Sequence, residues 1–259
     1  MRLKDKVAIV TGGGSGIGQG ICDAFVREGA RVVVADINLP NAEAVALKLN
    51  ERANGAAHAI KVDVTDEQST KDLVRDAVAH FGTLNILVNN AGARTMAPFE
   101  EHTTADWQKM LDINLTGPFL CSRAAVPELK KNEKAKIINL ASIASFMGRP
   151  DRAGYVAAKT GVLGLTRSMA VDLAEADIRV NCLAPGMIAT PFNAMFADDP
   201  ETGPEWKKEN FVGRWGKPED IAMAAVFLAS EESDFVTGAE LKVEGGWLAA
   251  KFRKGEMSD

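Results

Sequence analysis

Thr11-Gly12-Gly13-Gly14-Ser15-Gly16-Ile17-Gly18 follows the apolar run Val7–Val10 and opens an amphipathic stretch that reaches Gly29. A β-rich run, a glycine turn and a helix in that order make a phosphate cradle. Glycines allow the tight turn and a close backbone approach to an anion. The first helical turn adds unpaired N–H groups and the positive end of the helix dipole. The matching glycines are Gly12, Gly16 and Gly18, spaced G-x-x-x-G-x-G rather than G-x-G-x-x-G, so the stretch is a weak signal without its context.

The context repeats along the chain. Strands are expected at Val7–Thr11, Arg31–Asp36, Ala57–Val64, Asn85–Asn89, Lys136–Ala141, Ile178–Ala184 and Glu240–Val243. They are mostly continuous Val/Ile/Leu runs, as in strands buried on both faces of a parallel sheet. Amphipathic runs at 17–29, 41–53, 67–80, 104–131, 152–175 and 218–229 fill the gaps as helices. Gly29 stops the first, and Thr65-Asp66-Glu67 starts the third. The fold class is therefore α/β. A Rossmann-type, doubly wound, seven-stranded parallel sheet flanked by helices is expected, in a single domain over 1–259. Residues 187–217 break the rhythm with Met187, Phe192, Phe196, Trp206 and Trp215 among Asp198-Asp199-Pro200 and Gly203-Pro204. A connection this long reads as a lid over a site.

The chain has 259 residues, is 46% hydrophobic and 25% charged, and carries a net charge of −5. Those values exclude a disordered chain, a fibre and a disulfide scaffold. The acidic balance makes a nucleic-acid partner a poor expectation. Cys22, Cys121 and Cys182 form no C-x-x-C pair, and His58, His80 and His102 have no ligand spacing, so no metal is expected. No signal h-region or run of about 18 apolar residues is evident. A cytoplasmic protein without a membrane partner is the expectation.

The second strand ends at Asp36, 18 residues beyond Gly18. An acid there accepts hydrogen bonds from both adenosine ribose hydroxyls and repels a 2′-phosphate. Ser15, Ile37 and Asn38 offer that phosphate no cation, so NAD is expected rather than NADP. Tyr155, the only tyrosine, and Lys159 share one face of a helix at i, i+4. A phenol is a poor base with its usual pKa of about 10, and nearby positive charge favours phenolate.

Taken together, T-G-G-G-S-G-I-G at 11–18, Asn89-Asn90-Ala91-Gly92, Asn114, Ser142, Tyr155-Val-Ala-Ala-Lys159 and Pro185-Gly-Met-Ile-Ala-Thr190 resemble the classical short-chain dehydrogenase/reductase family. The likeness runs from about Lys6 to Trp247. It implies a catalytic tetrad of Asn114, Ser142, Tyr155 and Lys159, with hydride passing between a substrate carbon and nicotinamide. Ser142 would steady the substrate oxygen and Tyr155 would move its proton. Lys159 would lower the tyrosine pKa and bind the nicotinamide ribose, and Asn114 would hold a relay water. The resemblance also implies cofactor contacts from Gly12, Ser15, Gly16, Ile17 and Gly18, from Asp63 and Val64 on adenine, and from Asn90 and Gly92 by the adenosine ribose. Pro185, Gly186, Ile188 and Thr190 would lie at the nicotinamide. Val243-Glu244-Gly245-Gly246 departs from the family's usual Asp before two glycines, with little consequence expected.

Family likeness does not choose a substrate. Arg94, Arg149 and Arg152 lie on the rim of the expected site, where guanidinium groups suit a carboxylate. With Ser142 and Tyr155 they form the candidate substrate set, for a sugar acid or a similar small hydroxy or keto compound. The bland alternative is that these arginines are solvated or pair with Asp151. The tail 248–259 carries Lys251, Arg253 and Lys254 and either frays or reaches a neighbouring site in a homotetramer, the assembly common in this family. A 3-oxoacyl-(acyl carrier protein) reductase shares these motifs but would favour NADPH and a basic surface. A nucleotide-binding scaffold protein is the non-enzymatic alternative, and an intact tetrad speaks against it.

Overall fold

Seven short strands form the sheet: β1 (Val7–Thr11), β2 (Arg31–Asp36), β3 (Ala57–Lys61), β4 (Ile86–Asn89), β5 (Lys136–Leu140), β6 (Arg179–Pro185) and β7 (Glu240–Val243). The computed structural model describes residues 1–249, and the tail from 250 onward lies outside the described residues. Every pairing is parallel, in the order β3-β2-β1-β4-β5-β6-β7. β1 and β5 are buried at every position, as strands covered on both faces must be.

The helices are α1 (Gly16–Arg27), α2 (Leu39–Arg52), α3 (Glu67–Phe81), α4 (Thr104–Leu111), α5 (Gly117–Leu129), α6 (Ala153–Asp172), α7 (Ala194–Ala197), α8 (Thr202–Glu209) and α9 (Pro218–Ala229). Successive strand residues face opposite layers. Val10, Val34 and Ile138 pack with Phe25 of α1, Leu49 of α2 and Ile221 of α9. Ile9, Val33 and Ile137 pack on the other face with Leu73 of α3 and Ala125 of α5. Each such side chain contributes about 1.5–3 kcal/mol when taken out of water. The chain winds from β1 out to β3, then returns to place β4 beside β1. Strand order reverses there, and a crevice opens at the carboxyl ends of the strands.

Two expectations need correction. β3 ends at Lys61 rather than Val64, because β2 ends at Asp36, its last pairing partner. Val62, Asp63 and Val64 are thus free to turn toward the crevice. The helix expected over 104–131 is interrupted by a π-helical turn at Asp112–Thr116. Pro118 has no N–H to give the carbonyl four residues back, that of Asn114, so the α-helical register opens there. The excursion 187–217 carries α7 and α8. Its base is closed where Ile188 pairs with Gly216, with Ala189 N donating to Gly216 O at 2.9 Å and Gly216 N to Met187 O at 2.9 Å.

Candidate active site

The turn after β1 is built for close approach. Gly12 and Gly16 have φ of +64° and +55°, a region that L side chains disfavour. A Cβ on Gly18 would lie 2.1 Å from the Gly12 carbonyl oxygen. Ser15 stands at the N-cap of α1 without a side-chain cap, so the N–H groups of the first turn stay available to a ligand. The crevice beside them has a volume of about 810 Å³. Every expected cofactor residue lines it except Gly18, which acts behind it by letting helix and turn meet. These features fit a dinucleotide.

Asp36 sits at the far end of the crevice. One carboxylate oxygen accepts from Gly14 N and the other from Asn38 N, both at 2.9 Å. Each oxygen keeps acceptor capacity for a ligand hydroxyl. Asn90 lines the crevice and has a second task. Its side-chain Nδ2 donates to Thr11 O at 2.9 Å and Gly12 O at 3.1 Å, so it braces the glycine turn from β4. Asp63 lines the crevice while its Oδ1 accepts from Thr65 N and Thr65 Oγ1.

Tyr155 and Lys159 lie one turn apart on α6, and Ser142 follows β5. All three line the crevice together with Asn114 from the π turn. The Ser142 hydroxyl lies on the phenol side of the crevice and favours the ionised phenol, while its Oγ accepts from Ala144 N at 3.1 Å. Lys159 is 4% exposed. Its Nζ donates to the Leu140 carbonyl at 2.7 Å and lies 5.9 Å from the centre of the Tyr155 ring. Asn114 Nδ2 donates to Ala93 O and Met110 O, both at 3.0 Å, and its Oδ1 accepts from Ala93 N at 3.3 Å. The Asn114 side-chain amide is therefore occupied with the loop after β4 and with Met110.

Burial raises Tyr155 above the usual phenol range. The Ser142 hydroxyl pulls it back down first, followed by the Arg94, Arg152 and Arg149 guanidinium groups. Burial pushes Lys159 down to about 8. The expected route to phenolate, an ammonium on Lys159, thus costs more than the i, i+4 spacing suggests, because that charge is itself desolvated.

The three arginines sit above Tyr155 among the aromatic side chains of the excursion. Arg94 lies over Phe192 at 4.4 Å and Phe196 at 5.0 Å. Arg152 lies over Phe196 at 5.1 Å, and Arg149 lies over Trp206 at 4.6 Å and Trp247 at 5.4 Å. Phe192 tilts onto Tyr155 with ring centres 6.4 Å apart. None of the three forms an ion pair with a carboxylate among the described residues. Arg152 is buried and its Nε has no hydrogen-bond partner. None of them lines the crevice; they surround its lid side. Two groups escaped sequence reading. The Leu140 carbonyl is a main-chain atom and has no side-chain signature. Phe192 was visible only as one aromatic among several in the excursion.

Residues 12–248 match the family described as enoyl-(acyl carrier protein) reductase. Cyclopentanol dehydrogenase of Comamonas sp. (strain NCIMB 9872) is 37% identical over 248 residues, 96% of this chain and 99% of that protein. A candidate NAD(P)-dependent gluconate 5-dehydrogenase of Beutenbergia cavernae, solved with NADP bound at low occupancy, superimposes with a TM-score of 0.90 at 35% identity. The match covers 96% of this chain and 98% of that one. The 3-ketoacyl-(acyl carrier protein) reductase of Brucella melitensis, solved with NADH, gives 0.86 at 33% identity, over 95% and 99%.

Proposed function

Because the chain belongs to the short-chain dehydrogenase/reductase family, whose members interconvert alcohols and ketones, we propose that it works with NAD on a small carboxylate-bearing substrate such as a sugar acid. One observation carries the substrate class: Arg149 and Arg152 gather with Arg94 near Tyr155, and among the described residues neither Arg149 nor Arg152 forms an ion pair with a carboxylate. Buried charge without a partner is costly, so a site of this kind favours an anionic ligand. Asp36, with Ile37 and Asn38 after it, supports NAD.

The glycine turn, Asp36 and the segment from Pro185 to Thr190 would hold the dinucleotide, which supplies the two-electron acceptor or donor when bound. The protein's own part is proton handling and placement. On oxidation the Tyr155 phenol oxygen takes the substrate hydroxyl proton, and on reduction it returns one. Ser142, lining the same crevice, donates to the substrate oxygen and steadies charge as it develops there. Phe192 tilts over the phenol ring and covers one side of it. We further propose a cytoplasmic homotetramer; no helix among the described residues is long and apolar enough to cross a membrane.

The test is turnover with NAD and with NADP, each against sugar acids and their uncharged counterparts. Turnover with NAD and the acids supports the reading. Turnover with neutral polyols removes the carboxylate. Preference for NADP would put the 3-oxoacyl reductase reading first.

A further inference from the structure

Arg94 was expected to bind substrate, and its surroundings give it a different task. Nη2 donates to the Phe192 carbonyl at 2.8 Å and Nη1 to Asn193 Oδ1 at 3.1 Å. The flat face of the same guanidinium covers the rings of Phe192 and Phe196. Both arms of the fork are thus spent on the excursion between β6 and α9. Asn193 is itself tied to the base of that excursion, donating from Nδ2 to Ile188 O at 2.9 Å.

The other end of Arg94 is equally fixed. Its chain neighbour Ala93 exchanges two hydrogen bonds with the side chain of Asn114, at 3.3 Å and 3.0 Å. Asn114 is fully buried. Arg94 therefore runs from a backbone clamped by a tetrad residue to the stretch that carries Phe192 over Tyr155. We infer that Arg94 is a positioning residue that latches the lid, a forked link setting Phe192 on the catalytic tyrosine in register with Asn114. A lysine keeps the charge but cannot bond both acceptors in the plane of one rigid fork.

This inference does not depend on the carboxylate reading, and its first test uses no substrate. Lys207 and Lys208 lie exposed on α8 inside the lid, so native-state cleavage there by trypsin reports lid opening. Arg94→Gln should speed that cleavage by at least about tenfold, the low end for losing a single hydrogen bond from a charged group. Arg94→Lys should stay within about threefold of Arg94→Gln. Asn193→Ala, which removes one acceptor from the lid side, should act in the same direction, and the double variant should add little to Arg94→Gln. NAD affinity should not move, and with any alcohol that turns over kcat should fall more than KM rises. Wild-type cleavage rates in Arg94→Gln and Asn193→Ala would overturn the latch. So would full restoration by Arg94→Lys, which would mean that charge alone matters. A rise in KM confined to anionic substrates with unchanged cleavage would also overturn it, returning Arg94 to the substrate.

Discussion

The hydroxyl of Ser145 donates to the main-chain carbonyl of Lys159 at 2.7 Å, and the bond is buried. Ser145 Oγ also accepts from Ser142 N at 3.3 Å. One side chain therefore ties the turn that presents Ser142 to the helix that presents Tyr155 and Lys159. The Ser142–Tyr155 contact is set by this link as much as by either residue.

Ser145→Ala should cost about 1 kcal/mol of stability, a typical net value for a buried hydrogen bond. In a chain of this length that is a drop of about 2–4 °C in Tm. Activity should suffer more than stability, with kcat falling about tenfold as Ser142 loses its fixed distance to the phenol. Scanning calorimetry and steady-state kinetics on the same preparation check both.

Lys159→Met should abolish turnover yet stabilise the protein. The ammonium pKa is pushed from 10.5 to about 8 by burial. Between those values the unfolded chain binds more protons, so stability rises with pH across that window. Below pH 8 both states are charged and the cost is complete, about 3 kcal/mol. Leaving the Leu140 carbonyl without its donor takes back about 1 kcal/mol. At pH 7 the variant should therefore gain about 2 kcal/mol and melt some degrees higher, with the gain vanishing above pH 10.5. Equal or lower stability at pH 7 would show that the buried charge is better solvated than its surroundings indicate.

Arg152→Met should move the pH dependence of oxidation to higher pH. Burial raises the Tyr155 phenol and the arginines oppose it, so removing one cation leaves the phenol holding its proton more tightly. Oxidation needs the phenolate, and its rising limb should shift to the alkaline side. The KM for an acid should rise, while that for an uncharged analogue should change little. An unshifted profile would separate Arg152 from the tyrosine.

Asp36→Ser should lower kcat/KM with NAD about a hundredfold and improve it with NADP. The change removes both the acceptor for the ribose hydroxyls and the repulsion of a 2′-phosphate. It also frees the Gly14 N–H that the carboxylate now receives. An unchanged cofactor ratio would assign the choice to other residues.

The parallel sheet, the glycine cradle, Asp36 and the pairing of Tyr155 with Lys159 were legible in the sequence because each depends on local order. Periodicity decides whether a run is buried on one face or two, a glycine's freedom belongs to its own backbone, and i, i+4 neighbours meet on any helix. Pro118, which opens the helix at Asn114, was not read from the sequence, where 104–131 passes as one amphipathic run. Tertiary structure alone decided what these groups touch. Lys159 meets a carbonyl 19 residues away in β5, Asn90 props a turn 78 residues away, and Arg94 grips a lid almost a hundred positions later. All three acceptors, at Leu140, Gly12 and Phe192, are main-chain oxygens. A backbone atom is the same at every residue, so only folding selects which one a distant donor will find.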